Sequence, residues 1–500
     1  MTRRSPLAIP RAARRIKVDA WDDIWPDALS LLWLPMEPSS WTSARLRISA
    51  FRAGETQIPR AREALIPKPN GLMRPAHQLA PDCRLYYQAL VDTFMYDVDA
   101  KVAKKNHVFG YRTLAPRTTD APFGFGLRQW KRFREQLRRE VNSGAYGAMV
   151  RTDLAAFYER IPHGGLEGRL TSLGVKDEVA RELRAFLKAT MGKSQGLPQG
   201  PDPSGVLASA YLQPLDQALI TAGYGYVRYV DDIVIFAKDQ HQAKRALRQL
   251  EVEARRLDLI VQSAKTEIIV GRPAMEAEVN DDDDIAGIDY VIQNAGSRGA
   301  VREIRAAWRK ASKARPLNRR LIKYILGRLT DNADDTAVAW VLKRLGELDY
   351  VAPTTARYLS RFANRKAVQR GVSAHLTSNA NLSEWEETNL MKAMLSARKV
   401  DGPLIGRART VAADKNGGIE VRQFAGLLLG RHGDPTDHEH VARECMATEE
   451  LAQSGVVALQ SADAKTRGRA YADIGAQYPN CRRLIARVRG RPREIWPVFK

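Results

Sequence analysis

The chain contains only three cysteines among its 500 residues, at the widely separated positions Cys83, Cys445 and Cys481. This spacing makes neither a disulfide framework nor a metal-binding cluster, so a reducing cytoplasm is the expected location. Stretches of ~18 apolar residues are also lacking, so no membrane span is expected, and no apolar run follows the basic N-terminus as a signal peptide requires. Aromatic residues make up 7%, which favours a largely helical chain over a β-sandwich.

Acidic residues are scarce relative to basic ones. The chain has 79 Lys and Arg against 57 Asp and Glu, which gives a formal charge of +22. A balance of this size favours a polyanionic partner, and nucleic acid is the first candidate because phosphate neutralisation drives most non-specific binding. The hydrophobic fraction of 44% supports a packed core, and the length suggests about three domains.

Three carboxylates stand at positions that favour metal-dependent chemistry. A predicted strand over 148–154 ends in the carboxylate Asp153, and Asp231 and Asp232 lie at a turn between two short apolar strands within 226–236. Two-metal phosphoryl transfer needs two cations about 3.5–4 Å apart, held by clustered hard oxygen ligands. A pair of aspartates in a turn is common on its own. The flanking residues therefore decide the interpretation.

Those flanks resemble the reverse transcriptases. Arg228–Phe236 looks like that family's Tyr-x-Asp-Asp hairpin, and Arg151–His163 looks like the strand and turn that carry the first metal-binding aspartate. Gly196–Gly200 resembles the segment that supports the templating base and the incoming nucleotide. Leu257–Leu259, followed by Lys265, resembles a further palm element. The matches occur in the family's order and cover roughly residues 60–270.

Two upstream segments, Pro67–Pro75 and Val108–Arg112, match the fingers of bacterial reverse transcriptases. The first contains an Asn-Gly pair, which predicts a strand-hairpin-strand because both residues tolerate positive φ. The resemblance implies that Arg74 and Lys68 meet the triphosphate, where a guanidinium suits phosphate oxygens. Without the motif, the same cations could belong to a solvated basic hairpin.

The resemblance also implies the catalytic roles. Asp153 and Asp231 are expected to bind both metal ions, and Asp232 to complete the acidic cluster. The expected cofactor is Mg²⁺, with Mn²⁺ as the alternative. Lys265 is a candidate general acid on the leaving pyrophosphate, although a cation at a helix end is the simpler interpretation.

Further positions concern the nucleotide. Tyr158 falls where the family places its ribose gate, so deoxynucleoside triphosphates are the expected substrates, whereas Phe157 is predicted to be core. Gln199 and Gly200 predict a turn leading into a helix, with glycine allowing close backbone approach to the nucleotide. Near this turn Asp202 departs from the family pattern and adds negative charge, which leaves both templated and template-independent synthesis open.

The predicted fold is an α+β right-hand polymerase followed by an all-α, helical-repeat-like domain. The expected boundaries are an N-terminal helical extension over 1–60, fingers and palm over 61–295 and the helical domain over 296–500. An acidic run at Asp281–Asp284 marks the approach to the second boundary. The basic helical half is interpreted either as a second nucleic-acid surface or as a structural or oligomerising region.

This layout resembles the abortive-infection and unknown-group enzymes of antiphage defence. Members of that group make DNA on a non-coding RNA template or without a template, so RNA and the DNA product are the expected partners, and a homo-oligomer is expected by resemblance. The alternatives are a group II intron or retron-type reverse transcriptase and, from another class, a catalytically silent RNA-binding module. A separate His/Cys group fits no zinc pattern and is interpreted as surface polar residues: His432, His438, His440 and Cys445.

Overall fold

The computed structural model describes residues 6–19, 40–68, 70–102, 106–114, 117, 119–123, 126–280, 296–314, 317–378, 382–490 and 496. Residues 20–39 of the expected N-terminal helical extension and the acidic run at 281–284 lie outside this part of the chain. The described residues form two compact units: the first takes in residues up to 63 and from 76 to 280, the second residues 64–75 and those from 296 onward.

Helices and one hairpin precede the main sheet. In chain order the elements are α1 (Ile9–Asp19), α2 (Ser40–Ala53), β1 (Arg62–Pro67), β2 (Met73–Gln78), α3 (Pro81–Val91), α4 (Met95–Lys101), β3 (Val108–Phe109) and α5 (Gly126–Asn142). The hairpin predicted from the Asn-Gly pair is confirmed. The Lys68 amide donates to the Leu72 carbonyl at 2.7 Å, and Gly71 adopts φ +81°.

The central part of the chain alternates strands and helices. Its elements are β4 (Ala148–Thr152), α6 (Phe157–Arg160), α7 (His163–Ser172), α8 (Asp177–Met191), α9 (Asp202–Tyr211), α10 (Gln213–Thr221), β5 (Gly225–Tyr229), β6 (Asp232–Ala237), α11 (Gln240–Arg256), β7 (Glu267–Val270) and α12 (Arg272–Asn280). Five strands form one sheet in the order β3-β5-β6-β4-β7. Only the β3–β5 pair is parallel among these neighbours.

The central strands of this sheet are buried on both faces. Along β6, Ile233 and Ile235 belong to one apolar core, whereas Val234 and Phe236 belong to a second. Side chains alternate across a strand, so each face receives every second residue. The second core is closed by α5 and α12, and the first by helices that include α9, α10 and α11. A strand end fixed in such a sheet holds its side chains in defined positions.

From residue 296 onward, the secondary structure of the described residues is helical. The helices are α13 (Gly296–Ala311), α14 (Arg319–Asp331), α15 (Val338–Leu342), α16 (Ala352–Ser360), α17 (Lys366–Ser378), α18 (Glu384–Met394), α19 (Gly402–Ala413), α20 (Ile419–His432), α21 (Pro435–Glu444), α22 (Glu449–Ala458), α23 (Ala464–Gln477) and α24 (Cys481–Gly490). The predicted α+β class of the first part and the all-α class of the second are thus confirmed.

These helices pack in two rows. Each even-numbered helix from α14 to α24 contacts the next even-numbered one, and the odd-numbered helices from α15 to α23 form a parallel series of contacts. The even-numbered helices begin at residues 319, 352, 384, 419, 449 and 481, so successive starts are 33, 32, 35, 30 and 32 residues apart. Ion pairs about one period apart connect the pairs: Arg305–Asp334, Arg365–Asp335 and Arg409–Asp437.

None of the helices in the described part of the chain is both long and apolar enough to cross a membrane.

Candidate active site

The β5–β6 hairpin carries the paired aspartates at its tip. Tyr229 pairs with Asp232 across the ladder, which leaves Val230 and Asp231 as the two turn residues. The Tyr229 ring packs against Trp130 and Phe133 of α5, with ring centroids 5.1 and 5.7 Å away. The aromatic residue of the motif therefore fixes the hairpin to a helix and leaves Asp231 at the turn.

Asp153 lies beside this turn because of strand register. Thr152, the last residue of β4, pairs with Ile233 of β6. The next residue, Asp153, therefore leaves the strand next to the hairpin tip. Its backbone carbonyl accepts a hydrogen bond from the Gln262 amide at 2.8 Å, and its carboxylate is buried. The predicted approach of Asp153 to the turn agrees with this geometry.

The electrostatics of the site reflect carboxylates crowded together. Burial raises the pKa of Asp231 to about 7, and the charges of Asp153 and Asp232 contribute to the same rise. Asp153 Oδ1 is buried without a hydrogen-bond partner in the described part of the chain. Both observations describe a site with unbalanced negative charge and a spare oxygen ligand.

Lys265 faces the same carboxylate. It ends a short 3₁₀ turn, Ser263–Lys265, and its ammonium group forms an ion pair with Asp153 Oδ2. The hydroxyls of Thr152 and Thr266 are 2.7 Å apart and join the two segments. This connection explains why a residue 112 positions downstream returns to the end of β4.

The oxygen ligands of the site determine which cation it can hold. In the described ranges, no group of three or more His, Cys, Asp or Glu side chains forms a ready metal site. Asp153 and Asp231 nevertheless offer hard oxygen ligands, one of them unpartnered, and an ammonium ion already balances part of their charge. Mg²⁺ prefers one or two carboxylates together with substrate phosphates, so these residues fit such an ion.

Tyr158 lies near the acidic cluster. Its carbonyl accepts a hydrogen bond from the Leu197 amide at 2.8 Å. Burial, and then the neighbouring Tyr111 and Asp231, raise the pKa of Tyr158 well above its usual value. Phe157 is 3% exposed and belongs to the main core, as predicted.

The segment Gly196–Gly200 is held on both sides by histidines. His163 Nε2 lies 2.7 Å from the Gly196 carbonyl, and Gln199 exchanges hydrogen bonds with His77: its carbonyl accepts from the His77 amide at 3.0 Å and its amide donates to His77 Nδ1 at 3.3 Å. Burial lowers the pKa of both histidines. A neutral ring at His77 leaves Nδ1 able to accept the Gln199 amide proton. The backbone of the predicted nucleotide segment is therefore fixed.

The remaining predicted site residues lie on the β1–β2 hairpin. Lys68 directly follows β1, and Arg74 is an exposed residue of β2. Their contact with a triphosphate stays a prediction. Asp202, taken as a departure from the family pattern, lies in the first turn of α9, where the helix dipole favours a carboxylate.

The sequence did not indicate three residues that support the turn. Arg228 and Asp216 form a fully buried ion pair below it, and Gly110 faces Val230. Arg228 and Gly110 lie within the segments that resemble the family, but no function was predicted for either residue. Asp216 had no signal, because nothing local distinguishes it from a surface carboxylate on a helix.

The interpretation of the His/Cys group as surface residues is wrong for two members. His438 is 8% exposed and its Nε2 lies 3.1 Å from the Gly430 carbonyl, while Cys445 is 4% exposed. They are buried because α21 packs against α20 and α22. His432 is partly buried, and its Nε2 has no hydrogen-bond partner among the described residues.

A strand-end aspartate beside an aspartate on a neighbouring hairpin, in a sheet with helices on both faces, is typical of palm-type nucleotidyltransferases. Residues 66–318, half of the chain, match the family model described as "Reverse transcriptase (RNA-dependent DNA polymerase)". The chain belongs to this reverse transcriptase family, which makes it a nucleotidyltransferase by family.

Solved telomerase structures are among the similar folds. Telomerase from Candida albicans, in complex with a fragment of telomeric RNA, is 10% identical with a TM-score of 0.35, and the alignment covers 66% of this chain and 64% of that one. A corresponding complex from Candida tropicalis is 12% identical with a TM-score of 0.34, covering 77% and 68%. The apo form from Candida tropicalis is 9% identical with a TM-score of 0.33, covering 83% and 72%. No curated protein matches the chain.

Proposed function

We propose that this chain is a DNA polymerase that joins deoxynucleotides by two-metal nucleotidyl transfer, either on an RNA template or without a template. The observation that carries the proposal is the meeting of Asp153, at the end of β4, with Asp231, on the β5–β6 turn. Family membership supports the same chemistry.

The proposed metal is Mg²⁺, with Mn²⁺ as the alternative. Asp153 and Asp231 would hold it, and Asp232 would add to the negative field around it. When bound, such an ion acts as a Lewis acid on phosphoryl oxygens and orients attacking and leaving groups. Lys265 forms an ion pair with the Asp153 carboxylate, and we propose that Lys265 can supply a proton to the leaving pyrophosphate.

The nucleotide would lie between Tyr158 and the Gly196–Gly200 segment. A ring at Tyr158 would clash with a 2′-hydroxyl and so favour deoxynucleotides. Gln199 and Gly200 would present backbone to the base, and Gly200, at φ +126°, adopts a conformation that only glycine takes readily. We propose that Lys68 and Arg74 meet the triphosphate.

We further propose three domains: a helical extension over 1–60, fingers and palm over 61–295 and a helical-repeat domain over 296–500. The two rows of helices and their spacing of 30–35 residues support the last of these. A polymerase followed by such an array supports a role in antiphage defence by abortive infection. We also propose that the chain acts in the cytoplasm, a compartment that suits its three free cysteines.

The polymerase proposal is tested with purified protein, labelled deoxynucleotides and Mg²⁺, with and without RNA transcribed from the flanking genome. Asp231→Ala is expected to abolish incorporation. Asp97→Ala is the matched control, because Asp97 is an exposed aspartate of the same unit that pairs only with Arg117 among the described ion pairs. Product that survives Asp231→Ala would show that the site is assigned wrongly.

Sequencing of co-purified nucleic acid separates the remaining alternatives. A distinct RNA with complementary DNA supports templated synthesis, and DNA without a complement supports template-independent synthesis. An intron or retron RNA would instead support those classes. RNA without any DNA, bound equally well after chelation of divalent metal, would support a silent RNA-binding module. Phage plating on cells carrying wild type or Asp231→Ala tests the defence role.

A further inference from the structure

The turn that carries Asp231 contains a strained residue. Val230 has φ +57°, in the left-handed region that β-branched residues seldom occupy. Its amide donates to the Phe109 carbonyl at 3.3 Å, a long hydrogen bond. The direction of the Asp231 side chain therefore depends on whatever else keeps Val230 in this conformation.

Arg228 reaches the turn from below. Its side chain is fully buried, and Nη1 donates to the Val230 carbonyl at 3.1 Å. Nε and Nη2 donate to the two carboxylate oxygens of Asp216 at 2.6 and 2.8 Å, and Nη2 also contacts Ser209. One planar guanidinium thus connects α9 and α10 with the catalytic hairpin.

Asp216 is in turn held in place. It is 0% exposed, and the Tyr226 hydroxyl donates to its Oδ1 at 2.7 Å. A buried carboxylate with these partners has little freedom to rotate. It fixes the guanidinium plane, and the plane fixes the direction of the N–H group that meets Val230.

We propose that Arg228 and Asp216 are positioning residues for nucleotidyl transfer. Arg228, oriented by Asp216, holds the Val230 carbonyl and thereby keeps Asp231 directed toward Asp153. The inference rests on the proposed polymerase function. Neither residue contacts the nucleotide; both act through the turn.

The first test is Arg228→Met with nucleotide incorporation as the readout. A displaced catalytic group costs about 10²-fold in rate, so kcat is expected to fall by about that factor while KM for the nucleotide changes little. Arg228→Lys retains the charge, but one ammonium cannot span the Asp216 carboxylate and the Val230 carbonyl. Arg228→Lys is therefore expected to lose most of the activity that Arg228→Met loses.

Arg15→Met controls for the general effect of breaking a buried ion pair. Arg15 Nη1 pairs with Asp92 at 2.7 Å in the same unit, both side chains are 1% exposed, and the described contacts of Arg15 do not include the turn. It should lower the melting temperature to a similar degree yet leave kcat within about twofold, measured where both variants are folded. An equal fall in kcat would contradict the inference.

The second test is a double-mutant cycle with Val230→Gly. Glycine adopts positive φ without strain, so the turn then needs less support. The loss caused by Arg228→Met is expected to shrink by about tenfold in the Val230→Gly background. If Arg228→Met costs the same factor in both backgrounds, Arg228 does not act through the turn.

A readout that needs no activity separates this inference from the proposed function. Amide hydrogen exchange of residues 229–232, followed by mass spectrometry, is expected to be about tenfold faster in Arg228→Met and unchanged in Arg15→Met. Unchanged exchange overturns the positioning role whether or not the wild type is active. Faster exchange in a protein whose wild type incorporates no nucleotide leaves the positioning of the turn intact and overturns only the proposed function.

Discussion

At the scale of single residues, Gly110 provides the space for the turn that carries Asp231. A Cβ atom there would lie 2.7 Å from Val230 Cγ2, and the residue has φ +79°. Gly110→Ala is therefore expected to lower nucleotide incorporation and to reduce the free energy of unfolding by about 2–3 kcal/mol, from backbone strain and overpacking together.

Gly54→Ala is the matched control for Gly110. Gly54 has φ +76°, and a Cβ atom added there would meet no heavy atom within 4 Å. Only the left-handed penalty of about 1 kcal/mol applies there, and activity should not change. Chemical denaturation and an incorporation assay measure both variants. Equal losses of unfolding free energy and of activity in Gly110→Ala and Gly54→Ala would mean that the Val230 side chain moves freely to accommodate the added methyl group.

His432 provides a pH-dependent contribution to stability. Burial, and then Arg431, lower the pKa of His432 to about 4, below the ordinary value of 6.5. The folded state therefore resists protonation, so this contribution is complete above about pH 6.5 and is lost as the pH falls towards 4. With a discount for partial exposure, His432→Gln is expected to recover about 1 kcal/mol at pH 5 relative to pH 7.

Denaturant unfolding of wild type and His432→Gln at both pH values measures this difference. His241→Gln, at an exposed position at the start of α11, should retain the pH dependence of the wild type. Parallel pH profiles for wild type and His432→Gln would contradict the assignment to His432.

Residue-scale inference from sequence succeeded where a motif fixed both the residue and its neighbours. Ordered motifs predicted that Asp153 and Asp231 lie close together, as they do, and Phe157 was assigned correctly to the core. The metal-binding roles of the two aspartates stay predictions. Asp216 was missed because its burial arises only when α10 packs against β5. His438 was misread because its partner, the Gly430 carbonyl, belongs to another helix.

At the scale of elements, the close packing of α20 against α22 depends on one glycine. A Cβ atom on Gly430 would run into the backbone of Ala458, whereas Gly426, one turn earlier on α20, has nothing within 4 Å. Gly430→Ala is expected to destabilise the protein by about 2–3 kcal/mol through overpacking. Gly426→Ala is expected to stabilise it by about 0.5–1 kcal/mol, because alanine loses less entropy in a helix. Thermal melts of the two variants measure these changes. Melting-temperature shifts of the same sign in Gly430→Ala and Gly426→Ala would contradict the importance of close packing at Gly430.

Helices and strands were predicted from the periodicity of apolar residues. The prediction failed where a residue such as proline interrupts an element. Strands β4, β5 and β6 were predicted closely, because alternation and turn residues define them, whereas β3 and β7 were not predicted. The helix predicted to follow the turn at Gln199 and Gly200 is in fact two helices, Asp202–Tyr211 and Gln213–Thr221. Pro214 lies in the first turn of the second helix, and proline cannot donate the hydrogen bond that continuation requires.

At the scale of the whole molecule, the net charge of +22 predicts salt-dependent binding of nucleic acid. Six or more phosphate contacts release enough counterions for the affinity to fall about 10³-fold between 50 and 200 mM salt. Fluorescence anisotropy with a labelled oligonucleotide measures the slope. An uncharged backbone analogue of the same base sequence is the control and should bind weakly at every salt concentration. A flat salt dependence for the charged strand would contradict phosphate recognition.

The order of fold classes along the chain was predictable, whereas the period of the helical half was not. Composition and motifs indicated an α+β polymerase followed by helices. The spacing between even-numbered helices varies from 30 to 35 residues, so no fixed period appears in the sequence. What repeats regularly is the set of contacts between helices, not the number of residues between them. Such contacts leave only a weak pattern in the sequence.

The two rows of helices have a consequence for how such chains diversify. From α14 to α22 each helix meets the helix two positions along, so every internal pair has equivalent neighbours on both sides. In-frame duplication or loss of one pair then leaves the remaining interfaces unchanged. The number of pairs is free to differ between relatives whose β5–β6 hairpins are identical, and family size variation should concentrate in multiples of about 32 residues.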